Sequence, residues 1–120
     1  MAHWIDVDIE TDASGDHVIV TPIVNGRVST VMFADTDLAA GLDITIATTD
    51  TEQTVLALTN QAGSITVNPL QQARDTGGTA LTYDGTEPVS VPIYAANETI
   101  TVTVAQGGDT KTGNIKIVIV

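Results

Sequence analysis

Apolar and polar residues alternate over most of this chain, and a period of two is typical of β-strands with one buried and one solvated face. The clearest case is residues 99–104, where three threonines alternate with Ile100, Val102 and Val104. In the first strand, aliphatic residues expected to face inward alternate with outward-facing acids and a tryptophan: Ile5, Val7 and Ile9 against Trp4, Asp6, Asp8 and Glu10. The pattern therefore predicts β-structure throughout.

Further strands are expected at residues 17–24, 27–33, 42–48, 54–59, 64–68, 79–83, 87–94, 98–105 and 113–120. Short strands about ten residues apart, without a helix of useful length, are typical of a β-sandwich or barrel. A chain of 120 residues is long enough for one domain with a single core. We expect an all-β, single-domain β-sandwich over residues 1–120, jelly-roll-like or immunoglobulin-like, with about nine strands and little or no helix.

Asn25-Gly26 is the strongest hairpin signal in the sequence, because a type I′ turn needs two residues with positive φ. Residues 17–24 and 27–33 are therefore expected to pair as a hairpin. Pro22 lies in the first of these strands, and its missing N–H favours a sheet edge or a bulge there.

Two segments break the strand pattern. Residues 34–41 are expected to form one helical turn, with Asp35 or Thr36 as its N-cap and Gly41 as its end. Residues 68–78 are the longest stretch without periodicity. In a compact domain such a stretch is either an excursion that contacts a partner or a disordered tip.

The last strand is the most apolar one and reads IKIVIV over residues 115–120. A free sheet edge of this composition would invite aggregation, so we expect another chain to cover it. Self-association into a closed homotrimer or homodimer would provide that cover. The interface is expected to contain Ile115, Ile117 and Ile119. Lys116 either blunts the edge or meets a carboxylate across the interface.

Trp4 is a further candidate for the interface. It is the only tryptophan, and it occupies an outward-facing position beside acidic residues. Exposed tryptophans often anchor into a partner. Trp4 therefore either lies across its own sheet or inserts into another protein.

The charge balance excludes several classes of partner. Fifteen acidic residues against four basic ones give a net charge of −11, a field that repels nucleic acid and anionic lipid. Only 3% of residues are aromatic, which disfavours sugar-binding and base-stacking platforms. The chain has no cysteine, signal peptide or membrane-spanning run, so a soluble protein made in a cytoplasm is expected.

Two acidic clusters invite a calcium interpretation. The first is the D-x-D-x-E-x-D pattern of the first strand: Asp6, Asp8, Glu10 and Asp12. Alternate side chains of a strand lie in a row about 7 Å apart and do not converge on one ion, so a solvated face is the better explanation. The second cluster is Asp35, Asp37 and Asp43, and helix capping is a simpler explanation of Asp35 and Asp37. No metal or other cofactor is expected.

Residues with catalytic potential lack the spacing that chemistry requires. His3 and His17 are the only imidazoles and fit neither a metal-ligand nor a triad pattern. No serine stands in a Gly-x-Ser-x-Gly context, and no phosphate-binding glycine loop is present. We therefore expect a protein that is not an enzyme.

Two phrases of the C-terminal part, ALTYDGTEPVSVPI and VTVAQGGDTKTG, are followed by the short apolar terminal strand. Residues 74–120 thereby resemble small all-β structural proteins of tailed bacteriophages and prophages, most of all head decoration or cement proteins. The resemblance implies a virion protein that binds the major capsid protein on the outer surface of the phage head and stabilises the lattice. It transfers no individual functional residue.

Two other functions stay open. The first is a tail, neck or head-fibre connector, which is present in few copies per virion. The second is a calcium-dependent glycan-binding β-module, in which the acidic residues hold the ion.

Overall fold

The computed structural model describes residues 2–120, and these form an all-β protein. The strands, in chain order, are β1 (His3–Glu10), β2 (His17–Val20), β3 (Val24–Asp35), β4 (Leu42–Thr48), β5 (Thr54–Gln61), β6 (Ile65–Val67), β7 (Gln71–Gln72), β8 (Ser90–Val91), β9 (Ile93–Glu98), β10 (Ile100–Ala105) and β11 (Thr112–Ile119). The predicted fold class is confirmed, and β4 has the predicted bounds.

Nine of the strands form two antiparallel sheets. Sheet A has the order β1-β11-β3, and both β6 and β9 pair with the remaining edge of β3. Sheet B has the order β2-β10-β4-β5. When β6, β7 and β8 are set aside, the eight other strands have the order of a jelly roll, with β1-β11-β3-β9 in sheet A and β2-β10-β4-β5 in sheet B. Of the two expected kinds of sandwich, jelly-roll-like and immunoglobulin-like, the strand order is that of the jelly roll.

The core lies between the two sheets and is almost entirely aliphatic. Both sheets contribute to one buried cluster, with Phe33 as its only aromatic member. The inward positions of β10 and β11 alternate with partly exposed ones, as predicted for a half-buried strand. In β1 the predicted inward face is also correct, because Val7 and Ile9 are buried and Ile5 is half-buried.

The terminal strand β11 is an inner strand, not an edge. It pairs with β1 on one side and with β3 on the other. Its three isoleucines, Ile115, Ile117 and Ile119, have no accessible surface. The prediction that another chain must cover this strand is therefore wrong, because two strands of the same chain already satisfy its backbone and sheet B covers its apolar face.

Asn25-Gly26 does not make a hairpin turn. Both residues lie inside β3, a continuous strand of sheet A, whereas β2 belongs to sheet B. Gly26 has φ +140°, and a Cβ at this position would lie 2.7 Å from the Val120 carbonyl oxygen. The glycine therefore serves a close approach of two backbones, a role that the hairpin interpretation missed.

β3 changes its inward face in mid-strand. Val118 pairs with Thr30 while Ile119 pairs with Val28, so Ser29 is an extra residue without a partner on β11. This β-bulge moves the buried positions from Val24 and Val28 to Val31 and Phe33.

The predicted edge character of β2 is correct, since β2 is an outer strand of sheet B that ends before Pro22.

Residues 36–41 form bends and a turn, not the predicted helical turn. The expected capping contact nevertheless exists, because the Leu38 N–H donates to Asp35 Oδ1 at 2.9 Å. Leu38 is buried and belongs to the core cluster between the two sheets. A short turn thus takes the place of the helix, since burying Leu38 requires only one reversal of the chain.

The segment between β6 and β9 leaves both sheets. Residues 70–91, here called the arm, follow Pro69 and precede Pro92. They contain β7 and β8, which pair only with one another, and isolated bridges at Arg74–Ala80 and Thr82–Pro88. The predicted strands at residues 79–83 and 87–94 are thus reduced to bridges and to β8 and β9. The radius of gyration, 15.2 Å, exceeds the roughly 14 Å expected for a compact domain of this length, consistent with an extended segment.

Candidate interaction surfaces

The arm is held together by a closed ring of backbone hydrogen bonds. The Ala73 N–H donates to the Val89 carbonyl at 2.7 Å, the Val89 N–H to the Leu81 carbonyl at 3.1 Å, and the Leu81 N–H to the Ala73 carbonyl at 2.8 Å. Each of three short segments therefore donates to the next one. A ring of this kind satisfies backbone groups that a single extended loop would leave to solvent.

Two aspartates shape the turns of the arm. Asp75 Oδ1 accepts from the N–H groups of Gly77 and Thr79. Asp84 Oδ1 accepts from those of Thr86 and Glu87. The hydrogen bond from the Glu87 N–H, followed by that from Thr86, lowers the pKa of Asp84. Residues 70–78, most of the stretch expected to be either an excursion that contacts a partner or a disordered tip, thus form the first part of a hydrogen-bonded excursion. That it contacts a partner remains a prediction.

None of the arm residues is buried. Its large apolar side chains are exposed, with Leu70 at 60%, Leu81 at 38% and Tyr83 at 78% of their surface accessible. A segment without any fully buried residue contributes little to the core and depends on local hydrogen bonds for its shape. Exposed apolar residues on such a segment are typical of a contact site for another macromolecule.

A chain of polar side chains ties the arm to the sandwich. Gln71 Nε2 donates to Gln53 Oε1 at 3.0 Å and to the Pro92 carbonyl at 3.3 Å. Gln53 Nε2 in turn donates to the Tyr94 carbonyl at 2.7 Å and to Thr51 Oγ1 at 2.8 Å. The arm base is therefore connected to the β4–β5 turn and to β9.

Glu98 is the buried end of this chain, with 1% of its surface accessible. Its carboxylate accepts from the N–H groups of Asp50, Thr51 and Ala96 and from the Thr51 hydroxyl, at distances of 2.9 to 3.0 Å. These bonds, led by those from the Ala96 and Thr51 N–H groups, outweigh desolvation and lower the pKa of Glu98 to about 2. The carboxylate is ionised at neutral pH and fixes the β4–β5 turn to β9.

Two depressions flank the base of the arm. A cleft of about 230 Å³, here called the arm cleft, is lined by Arg27, Val28, Ser29, Asn68, Pro69, Leu70 and Pro92. A wider, more open depression of about 520 Å³ lies beside the β4–β5 turn, and Glu52 and Arg74 are both in its lining. Leu70 lines both. Two of the four basic residues of the chain therefore lie at this base.

The outer face of sheet A carries the acidic row of β1. Asn114 Nδ2 donates to Asp6 Oδ1 and to Asp8 Oδ1, and Lys116 Nζ lies 3.8 Å from Asp6 Oδ2. Lys116 thus pairs across two strands of its own sheet, and the prediction that it blunts an edge is wrong because β11 has no free edge. Trp4 lies opposite Val118 on this face, and 66% of its surface is accessible. Its role in an interface remains a prediction.

The isoleucines assigned to an interface are not surface residues. Ile115, Ile117 and Ile119 face the core, so they are unavailable to a partner while the chain is folded. This part of the predicted interface is wrong, because the apolar run was interpreted as an exposed edge.

The remaining acidic candidates act as hydrogen-bond acceptors. Asp37 Oδ1 accepts from the N–H and hydroxyl of Thr112, and the first of these bonds lowers the pKa of Asp37. Asp43 accepts from the Asn60 N–H and from Gln106. Among residues 2–120, no three histidine, aspartate or glutamate side chains are grouped so that they would hold a metal.

The outer face of sheet B is nearly free of charge. Two rows of paired residues cross it: Val20, Thr101, Ala47 and Thr54, and Val18, Thr103, Thr45 and Ala57. This neutral face ends at Asp43, and Val18 and Val20 on its edge strand are more than half exposed. In a protein of net charge −11, such a face lets another protein approach without like-charge repulsion.

No protein-family model matches the sequence, and a search of curated proteins found no similar sequence. Residues 2–120 contain no helix long and apolar enough to cross a membrane.

The sequence did not single out Glu98, Gln53, Gln71 or Arg27. In the alternating pattern Glu98 looks like any polar residue at the start of a strand. One signal was available for the first part of the arm, because residues 68–78 are the longest stretch without periodicity, whereas strands were expected over residues 79–83 and 87–94. Its contacts with the β4–β5 turn join residues about twenty positions apart, and no local pattern indicates them.

Proposed function

We propose that this protein is a non-enzymatic structural protein of a virion, a decoration or cement protein on the outer surface of a phage head. The observation that carries the proposal is the arm: a hydrogen-bonded excursion in which no residue is fully buried and which exposes Leu70, Leu81 and Tyr83. Exposed apolar side chains on such a segment are typical of a contact site for another macromolecule. The resemblance of residues 74–120 to phage decoration proteins includes most of the arm.

The net charge of −11 favours the outside of a capsid, because packaged nucleic acid would repel the protein from the inside. The neutral face of sheet B offers a second surface on which the major capsid protein, or another copy in a homotrimer or homodimer, can lie. The jelly roll does not decide the function, since the same fold occurs in viral capsid and lectin domains.

The mechanism we propose is stabilisation by binding. A protein that binds the assembled lattice and not the free subunits lowers the free energy of the lattice by its binding free energy at each site. Many copies add these contributions. A preformed arm suits this role because little ordering entropy is lost when it binds.

Quantitative mass spectrometry and cryo-electron microscopy of particles from the source of this chain test the proposal. Hundreds of copies at regular lattice positions are expected, counted against the major capsid protein. A dozen or fewer at one vertex would instead favour the tail, neck or head-fibre connector. Absence from every particle would refute the virion assignment.

The role of the arm is tested by adding purified variants to particles that lack the protein. The double variant Leu81→Ser, Tyr83→Ser is expected to bind at least about fivefold more weakly, since two exposed apolar contacts are worth about 1 kcal/mol or more together. Ile23→Ser is the matched control, because Ile23 is as exposed as Leu70 but lies outside the arm. Equal binding of the double variant and the control would refute a contact through the arm.

No observation favours the calcium-dependent glycan-binding module, because the acidic residues that would hold the ion accept hydrogen bonds from the protein itself. A thermal melt with calcium and with EDTA is the direct test. A calcium-dependent rise of the midpoint would revive this alternative.

A further inference from the structure

We propose that the arm cleft binds an acidic segment of the partner protein, with a carboxylate of that segment held by Arg27. This inference rests on the proposed binding role of the arm and adds the chemistry that the partner must present.

Arg27 is available for such a contact. It is exposed, and among residues 2–120 its guanidinium takes part in neither an ion pair nor a side-chain hydrogen bond. Two of the other three basic residues are already engaged, since Lys116 pairs with Asp6 and Arg74 donates to the Gly78 carbonyl. Among residues 2–120 the Lys111 side chain also has no ion pair or side-chain hydrogen bond, but Lys111 is not in the lining of the cleft. A guanidinium left without an acceptor in a strongly acidic protein is a ready partner for a carboxylate.

The polar side chains in the lining of the cleft all carry a hydrogen-bond donor. Beside Arg27 they are Ser29, whose hydroxyl lies 3.5 Å from Thr30 Oγ1, and Asn68. Asn68 Oδ1 accepts from Thr30 Oγ1 at 3.2 Å, which leaves the Asn68 NH₂ group as the free donor. No acidic residue is in the lining. The cleft therefore discriminates in favour of an anionic group and against a cationic one.

The strand pairing along one edge of β3 is also interrupted beside the arm cleft. β9 pairs with β3 up to Val28, and β6 pairs with it from Val31 onward. Ser29 and Thr30 lie between them without a strand partner on that edge, and Ser29 is the bulged residue on the other edge. Bulges often lie next to sites because they redirect a side chain. Here the interruption leaves this edge of sheet A open beside the arm, and Ser29 lines the cleft.

The apolar walls and the size define the rest of the ligand. Val28, Pro69, Leu70 and Pro92 supply the walls, and 60% of the Leu70 surface is accessible. The volume of about 230 Å³ is below the 300–1,000 Å³ typical of small-molecule and cofactor sites. It suits one or two side chains of a peptide. A glutamate or aspartate next to an aliphatic residue matches both the donors and the walls.

The test is an NMR titration of the ¹⁵N-labelled full chain with two blocked pentapeptides, Ala-Leu-Glu-Leu-Ala and its counterpart Ala-Leu-Gln-Leu-Ala, up to about 10 mM. We expect shifts at the amides of Val28, Ser29 and Leu70 with the acidic peptide. Its affinity should be about fivefold or more above that of the glutamine peptide, as for one charge-assisted pair. Shifts of equal size with both peptides, shifts confined to other surfaces, or no shifts at all would overturn the proposal.

Two variants complete the test. Arg27→Gln is expected to abolish the preference for the acidic peptide. Lys111→Gln should leave it unchanged, because Lys111 precedes β11 whereas Arg27 pairs with Val120 beyond the other end of that strand. An unchanged preference in Arg27→Gln would overturn the proposal.

The particle assay separates this inference from the proposed function. If Arg27→Gln binds particles like the wild type while the Leu81, Tyr83 double variant does not, the arm contacts the shell and the assigned chemistry of the cleft is wrong. If no particle carries the protein but the acidic peptide still binds through Arg27, the virion assignment fails and the site stands.

Discussion

Replacement of Glu98 by glutamine should destabilise the protein far more than its small change in volume suggests. Glutamine keeps one acceptor oxygen, which can serve the Asp50 and Thr51 N–H groups. Its NH₂ group would face the Ala96 N–H, which now donates to the second carboxylate oxygen. Two donors would then oppose each other in a buried position, and the Ala96 N–H would lose its acceptor.

The size of the effect follows from the pKa of Glu98, which falls from 4.5 to about 2 in the folded protein. At about 1.4 kcal/mol per pKa unit, that shift corresponds to roughly 3 kcal/mol of stability at neutral pH. The carboxylate lies beneath a single surface turn, so solvent screening reduces the figure, and we expect about 2–3 kcal/mol. This is a large fraction of the roughly 5–15 kcal/mol by which a domain is stable.

The pH dependence gives the prediction its specific signature. Because the folded-state pKa is lowered, the contribution of Glu98 is complete above about pH 4.5 and is lost as the pH falls toward 2. The stability difference between wild type and Glu98→Gln should therefore be constant from pH 7 to 5 and shrink below that. The assay is urea unfolding followed by far-UV circular dichroism at several pH values.

Glu10→Gln is the matched control, since Glu10 is exposed at the end of β1. It should change stability by less than about 0.5 kcal/mol at every pH. A Glu98→Gln effect below about 1 kcal/mol at pH 7 would refute the reasoning. So would a difference that persists unchanged at pH 2.5.

Three further predictions concern the core, the bulged strand and the arm. Ile117→Ala should cost about 2–5 kcal/mol in urea unfolding, because the side chain is fully buried, whereas Lys116→Gln on the opposite face should cost no more than about 1 kcal/mol; similar small effects would show that β11 is not an inner strand. Gly26→Ala should cost about 2 kcal/mol or more, because the new Cβ would meet the Val120 carbonyl, and a neutral result in the same assay would contradict the close approach. Replacement of the arm by a short Gly-Ser linker should leave the far-UV spectrum of the sandwich intact and lower the stability by no more than about 1 kcal/mol, since no arm residue is fully buried; loss of cooperative unfolding would show that the arm belongs to the core.

The alternating pattern determined the fold class and most strand positions, because the side chains of a strand point to opposite faces whatever its neighbours are. The inward residues of β1 and β10 could be named from this rule alone. The acidic surface and the absence of recognisable catalytic spacing were equally visible in the sequence. So was the first part of the arm, as the stretch without periodicity over residues 68–78, whereas the rest of the arm was expected to form strands.

Pairing was decided only by the tertiary structure. The apolar run of β11 indicates burial, but nothing local tells whether another chain or β1 and β3 will cover it. Asn25-Gly26 favours a turn, yet the approach of the Val120 carbonyl made the same glycine necessary inside β3. The bulge at Ser29 then reversed the alternation on which the local prediction rested.

The candidate sites depend on the same long-range contacts. Glu98 has a low pKa because the fold brings the β4–β5 turn over its carboxylate, and Arg27 lines a cleft because the chain leaves sheet A beneath Leu70. Local patterns report the two faces of each strand, since those faces are set by the covalent chain. The neighbours of each face are chosen by packing of the whole chain, which no short segment contains.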